Sequence, residues 1–241
     1  MSIIDLSARA AGRTRPAFYL TLSLVMAAVI IAGFSRTVPD DVNASPTLPV
    51  LLFVHGAVFS LWVVLLVVQP ALVYRGSIRL HRRLGMAGAV LATAMVVMGL
   101  AATYLAIHDK LVPSFFPPAI FLAMNTIGIL VFGALVTAGV TLRRSADWHR
   151  RLMMCATVSI LGPGVGRLLP MDSFGRAAPM VMFGVIALFG LAGPAYDVIK
   201  RGRVHKAYVW GVGAIIVSML ITGPVAFSPP TQALLRWVQG A

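Results

Sequence analysis

The sequence contains no Glu, and its acidic residues amount to 7 Asp in 241 residues. Charged residues make up 11% of the chain, whereas soluble domains usually carry about 25%. So few charges cannot cover the surface of a soluble domain. The same shortage, in a chain that is 59% hydrophobic, also excludes a disordered protein, because disordered chains are polar and rich in charge.

Cysteine is nearly absent as well. The single Cys155 excludes an internal disulfide framework and any zinc or iron–sulfur site built from cysteines. The sequence also lacks a Walker A loop, a nucleophile elbow and a His-Glu-x-x-His metal motif. These absences leave the five His residues as the main candidates for chemistry.

Long apolar runs dominate what is present. A helix needs about 20 apolar residues to cross the hydrocarbon of a bilayer, and open sheets leave backbone groups unpaired there. The sequence therefore predicts an all-α integral membrane bundle that forms one domain over residues 1–241. Seven transmembrane helices are expected, and Gly162-Pro163-Gly164 interrupts the fifth: 17–34, 50–74, 84–107, 115–142, 152–169, 177–199 and 207–227.

The basic residues are distributed unequally between the two sides of this predicted topology. Five fall on one side, with a net charge of +1, and fifteen fall on the other, with a net charge of +12. Because cytoplasmic loops are enriched in Lys and Arg, we expect a cytoplasmic N-terminus and an external C-terminus. The fifteen are Arg9, Arg13, Arg15, Arg75, Arg79, Arg82, Arg83, Arg143, Arg144, Arg150, Arg151, Lys200, Arg201, Arg203 and Lys206.

A short motif recurs on the basic side. The sequence His-Arg-Arg-Leu occurs at residues 81–84 and again at 149–152, and His205-Lys206 is a weaker copy. Each copy precedes or opens an apolar run. The pattern predicts a two-helix hairpin that is used twice and begun a third time.

The repeat places His81, His149 and His205 at one membrane depth. Neutral imidazole is a good ligand for zinc, copper and iron, and haem iron also takes axial His. If the three helices adjoin, the three imidazoles could form one cofactor site, with the metal unknown. The alternative interpretation is that they cap helices at the membrane interface, where polar groups cost little free energy.

Two further candidates lie toward the opposite side. His55 lies about five residues inside the second apolar segment, at a depth where an ionisable group indicates a function; the alternative is a neutral His that hydrogen-bonds a neighbouring backbone or hydroxyl group. Arg167 follows the interrupted stretch of the fifth segment, where it could meet a haem propionate, a quinone headgroup or a lipid phosphate; otherwise it simply extends outward to the interface. Asp197 is expected to pair with Lys200 and Arg201.

The stretch from Leu80 to Pro170 resembles the bacterial membrane-protein family called domain of unknown function 2306. The resemblance rests on three motifs, which are Leu-His-Arg-Arg-Leu-Gly at 80–85, Trp-His-Arg-Arg-Leu-Met at 148–153 and Gly-Arg-Leu-Leu-Pro at 166–170. That family's pattern is similar to two-haem b-type membrane cytochromes, which implies a link to haem b or quinone. His81 and His149 are the matching positions, and this sequence lacks the paired His on one helix.

Three functional hypotheses follow. The first expectation is a multi-pass bacterial inner-membrane protein without catalytic machinery, with an accessory, assembly or small-molecule-handling role. The alternative is a redox-linked protein that binds haem b or quinone through His55, His81, His149, His205 or Arg167. A lipid-modifying enzyme is the least favoured. The expected partners are anionic lipid on the basic face and a membrane protein, and the charge is not interpreted as a nucleic-acid surface.

Overall fold

A computed structural model describes residues 17–44 and 49–240, and within these ranges the chain is helical with no strands. Six of the described helices are long and apolar enough to cross a membrane. The predicted all-α membrane class is therefore confirmed. The α-helices are α1 Phe18–Ala44, α2 Val50–Arg75, α3 Ile78–His108, α4 Pro118–Thr141, α5 Ala146–Ser159, α6 Gly162–Leu168, α7 Met171–Phe174, α8 Ala178–Arg201, α9 Lys206–Ala226 and α10 Pro229–Gln239.

The predicted fifth transmembrane segment is not one helix. It consists of α5, with 14 residues, and α6, with 7, and neither is among the six spans. Pro163 explains the break, since it has no N–H to donate and its ring excludes the carbonyl four residues earlier. Proline is tolerated in the first turn of a helix, where it lies in α6. The predicted interruption is thus confirmed, whereas the count of seven single helices is not supported.

Several helix ends also differ from the sequence-based boundaries. Helix α1 continues ten residues beyond the expected end at Phe34, and α3 begins at Ile78 instead of Leu84. Helix α10 was not predicted. It buries Leu235 and Val238, and Trp237 lies 6.0 Å from the Tyr104 ring of α3.

The short helix α5 is the most enclosed element of the bundle. It packs against α1, α4, α8 and α9, and its residues from Met154 to Val158 are all buried. Its N-terminal turn carries Asp147, Arg150 and Arg151. The enclosure of α5 therefore brings charged side chains into contact with the neighbouring helices.

Helices α1 and α6 approach each other at two glycines. A Cβ atom at Gly33 would overlap the carbonyl oxygen of Gly164, and a Cβ at Gly164 would lie 3.1 Å from the Cα of Ile30. Small residues let membrane helices pack backbone to backbone. This contact seats the second half of the broken segment on α1.

We predict that Gly33→Ala destabilises the protein because its methyl group must displace the α6 backbone. The matched control is Gly184→Ala in α8, where a Cβ meets nothing within 4 Å and alanine favours the helix by about 0.5–1 kcal/mol. Thermal unfolding of the purified proteins in detergent should show a lower midpoint for Gly33→Ala and no loss for Gly184→Ala. Equal midpoints for the two variants would contradict the close approach.

Candidate functional site

Charged and polar side chains gather at one end of the bundle, which we call the basic end. Helices α1, α3, α5 and α9 begin there, and α2, α4 and α8 end there. At its centre, Arg151 of α5 donates to both carboxylate oxygens of Asp197 of α8, with Nε–Oδ2 and Nη2–Oδ1 distances of 2.9 and 2.5 Å. Both side chains are 0% exposed. This two-point geometry is the strong form of an Arg–carboxylate pair.

Asp147 extends the pair into a network. Its carboxylate accepts hydrogen bonds from Arg151 and Arg201, each at 2.8 Å, and from Arg150. We call Asp147, Arg150, Arg151, Asp197 and Arg201 the ion-pair network.

Aromatic rings enclose the network. The Arg151 guanidinium carbon lies 5.5 Å from the centroid of the Tyr208 ring of α9, and that of Arg150 lies 5.1 Å from the Tyr19 ring of α1. Such cation–aromatic contacts gain strength when the cation is removed from water. Tyr208 in turn occupies the space that a side chain at Gly193 of α8 would fill. The network therefore contacts four helices, α1, α5, α8 and α9.

His205 caps the start of α9. Its Nδ1 accepts from the Ala207 backbone N–H at 3.1 Å, so its proton is on Nε2, and its own backbone N–H donates to Asp197 at 3.2 Å. Burial, and next the charge of Arg151, lower the pKa of His205, in accord with a neutral ring. Its ring lies 5.5 Å from that of Trp148. His205 thus has a capping role, the alternative considered for the repeated histidines.

The other two repeated histidines contact each other. The ring centroids of His81 and His149 lie 6.1 Å apart. His149 donates from Nδ1 to the Gly139 carbonyl of α4 at 2.8 Å, which leaves its Nε2 available as an acceptor or ligand. The Gln69 side-chain amide, oriented with its nitrogen toward His81, donates to His81 Nδ1 and accepts from the Gly85 N–H at 3.0 Å.

These hydrogen bonds fix complementary tautomers on the two rings. In the neutral state His81 carries its proton on Nε2, and His149 carries its proton on Nδ1. Each neutral ring keeps one unprotonated nitrogen, but that of His81 accepts from Gln69, whereas that of His149 is free. Haem ligation by both rings would therefore require His81 to give up its hydrogen bond from Gln69. Within residues 17–44 and 49–240, no group of three or more His, Cys, Asp or Glu side chains could hold a metal ion. The expected convergence of three imidazoles is therefore only a contact between two.

The remaining predicted residues lie toward the opposite end. His55 is half-buried and stacks on Phe59, with ring centroids 4.1 Å apart. The Arg167 guanidinium carbon lies 4.5 Å from the centroid of the Phe34 ring of α1. Since α6 also packs on α1 through Gly164, this face of the interrupted segment contacts protein. The predicted site residues are thus divided between the two ends of the bundle.

The sequence interpretation missed the residue on which the basic end depends. The sequence marks Arg151 only as one of the charges of the basic side, and it predicts that Asp197 pairs with Lys200 and Arg201. In the structure Arg201 lies 3.9 Å from Asp197, and Arg151 is its main partner. The repeat could not identify Arg151, because Arg83 occupies the same position in the other copy and is exposed.

We predict that Arg151→Leu or Asp197→Leu alone destabilises the protein by about 3–5 kcal/mol, because each removes the main partner of a fully buried charge. The double variant Arg151→Leu with Asp197→Leu should recover most of that loss, since it removes both charges. Arg83→Leu, at the matching position of the repeat, is the control and should change stability by less than about 0.5 kcal/mol. Thermal unfolding in detergent measures all four; a double variant as unstable as the singles would contradict mutual pairing.

No protein-family model matches this chain, and searches of the curated proteins and of the solved structures found no match.

Proposed function

We propose that this is a multi-pass protein of the bacterial inner membrane that acts without covalent chemistry of its own, in an accessory, assembly or small-molecule-handling role. One observation carries the proposal, namely that the two buried charges at the centre of the ion-pair network, Arg151 and Asp197, pair with each other. Arg151 and Asp197 are fully buried and satisfy each other. A catalytic or proton-carrying group must instead be open to its substrate or to protons.

The network's effect is mechanical. It joins the start of α5, the end of α8 and the start of α9 through hydrogen bonds from Arg151, Arg201 and the His205 backbone. Separating these groups inside a low-dielectric bundle would expose unpaired charges. A rigid basic end suits a protein that presents a fixed surface to a lipid or to a membrane-protein partner.

We further propose that the chain crosses the membrane seven times, with α5 and α6 together making the fifth crossing. Helix α5 begins at the basic end and α8 returns to that end, so the chain must traverse the bundle between them. Their 14 and 7 residues give about 30 Å of helix at 1.5 Å per residue, the thickness of a hydrocarbon core. With seven crossings, both repeated hairpins start on the basic face of the bundle. We assign this face to the cytoplasm, because cytoplasmic loops are enriched in Lys and Arg, and its lipid partner is then the anionic lipid of that leaflet.

This orientation predicts the labelling of engineered cysteines. In a Cys155→Ser background, Ser77→Cys at the basic end and Ser173→Cys at the other end are both exposed positions. A membrane-impermeant maleimide on intact spheroplasts should label only Ser173→Cys, and permeabilised membranes should give labelling of both. Labelling of Ser77→Cys alone in intact spheroplasts would reverse the proposed orientation.

A second candidate is a redox-linked protein that binds quinone, and the contact between His81 and His149 favours it. His81 Nε2–H is a donor of the kind that binds a quinone carbonyl, and His149 stays oriented by Gly139. His149 alone could also offer one nitrogen to a haem. Haem or quinone would supply electron transfer, while the chain's own residues would only bind and orient the group.

Absorption spectra, iron analysis and quinone extraction of the purified protein distinguish the two candidates. The proposed non-catalytic role predicts no Soret band, no iron and no stoichiometric quinone, with no change in His81→Ala or His149→Ala. A cofactor that is present in the wild type and lost in either variant, with thermal stability maintained, would establish the redox candidate instead. Arg82→Ala, which removes an exposed neighbour, is the control.

A further inference from the structure

A half-open pocket of about 500 Å³ lies at the basic end, beside the ion-pair network. It occupies the turn between α8 and α9 and the start of α5. Six residues line it: Trp148, Arg201, Arg203, Val204, His205 and Lys206.

The pocket is cationic and has no acidic lining residue. Arg201 is already engaged with Asp147. Arg203 and Lys206 are exposed and have no hydrogen bond or ion pair with any residue in the described ranges. Like charges around a small pocket raise its positive potential and attract an anion. Two unengaged cations and a partly engaged third are therefore available to one ligand.

The side chains suit a phosphate group. Arg presents a planar fork of N–H donors that matches phosphate oxygens, and Lys adds a compact charge. The protonated Nε2 of the neutral His205 is one more donor in the lining, because its Nδ1 is used in the cap. Trp148 and Val204 supply apolar walls.

We infer that this pocket binds the phosphate group of an anionic membrane lipid. Exposed apolar residues next to the pocket favour a lipid over a free anion. They lie about one turn away along the two helices, and they are Ile199 on α8 and Val209 and Trp210 on α9. They provide a surface for acyl chains next to a cationic headgroup site, and Trp is typical of that interface. The inference rests on the proposed function for its membrane setting, whereas phosphate recognition itself does not depend on which way the protein is oriented.

Calorimetric titration of the full-length protein in a neutral maltoside detergent tests the site. The probes are dihexanoyl-phosphatidylglycerol, dihexanoyl-phosphatidylcholine and inorganic phosphate. We expect saturable binding of the anionic lipid and binding of the zwitterionic lipid at least about tenfold weaker. The variant Arg203→Ala with Lys206→Ala should weaken the anionic lipid at least about tenfold, since it removes two charge-assisted contacts.

The matched control is Arg75→Ala with Arg79→Ala, which removes two exposed charges from the same end but outside the pocket. This control should leave the affinity for the anionic lipid within about twofold of the wild type. Arg203→Lys with Lys206→Ala should bind the anionic lipid more tightly than the double alanine variant, because it keeps the positive charge at position 203. If inorganic phosphate binds as tightly as the lipid and competes with it, the phosphate site stands and its ligand is the free anion. The inference would be overturned if the anionic lipid did not bind, if both lipids bound equally, or if the two double variants lost affinity equally. These outcomes do not depend on the result of the cysteine-labelling experiment.

Discussion

The pairing of Arg151 with Asp197 is the constraint on which the other features of the basic end depend. Two charges with no exposure are tolerated only with close, well-directed partners, and here each oxygen of Asp197 faces a guanidinium nitrogen. The requirement fixes where α5 must begin relative to the end of α8. It also places the Asp197 carboxylate against the His205 backbone, and so positions the start of α9.

The central position of α5 has a second consequence at its other end. The helix stops after Ser159, because Pro163 cannot continue it, and the backbone must finish the traverse through α6. A broken helix needs protein contact to satisfy its backbone at membrane depth. Gly33 and Gly164 make that contact possible, since neither presents a side chain between α1 and α6. Helix α5 therefore carries Arg151 of the ion pair near its start and leads at its end into α6, which packs on α1 through Gly33 and Gly164.

Composition and apolar runs were sufficient to predict the membrane class, the break at Pro163 and six of the spanning segments. The equal depth of His81 and His149 also anticipated their contact. Burial of Arg151 could not be predicted, because it depends on which helix the others surround, and Arg83 has the same local sequence in an exposed setting. Helix α10 was missed because its eleven residues are too few for the span criterion. The tautomers of the two histidines depend on Gln69 and Gly139, which no spacing rule connects to them.

The basic side therefore contains two kinds of positive charge that a sequence count treats alike. In the ion-pair network, three guanidinium groups face two carboxylates and leave one net positive charge, so most of its charge is neutralised within the protein. Arg203 and Lys206 have no such partners among the described residues and remain available to the membrane surface. Because the network fixes the ends of α8 and α9, it also fixes the turn that carries these two cations. The pair of Arg151 and Asp197 is electrically neutral, yet it thus determines the shape of the turn that presents Arg203 and Lys206 to an anion.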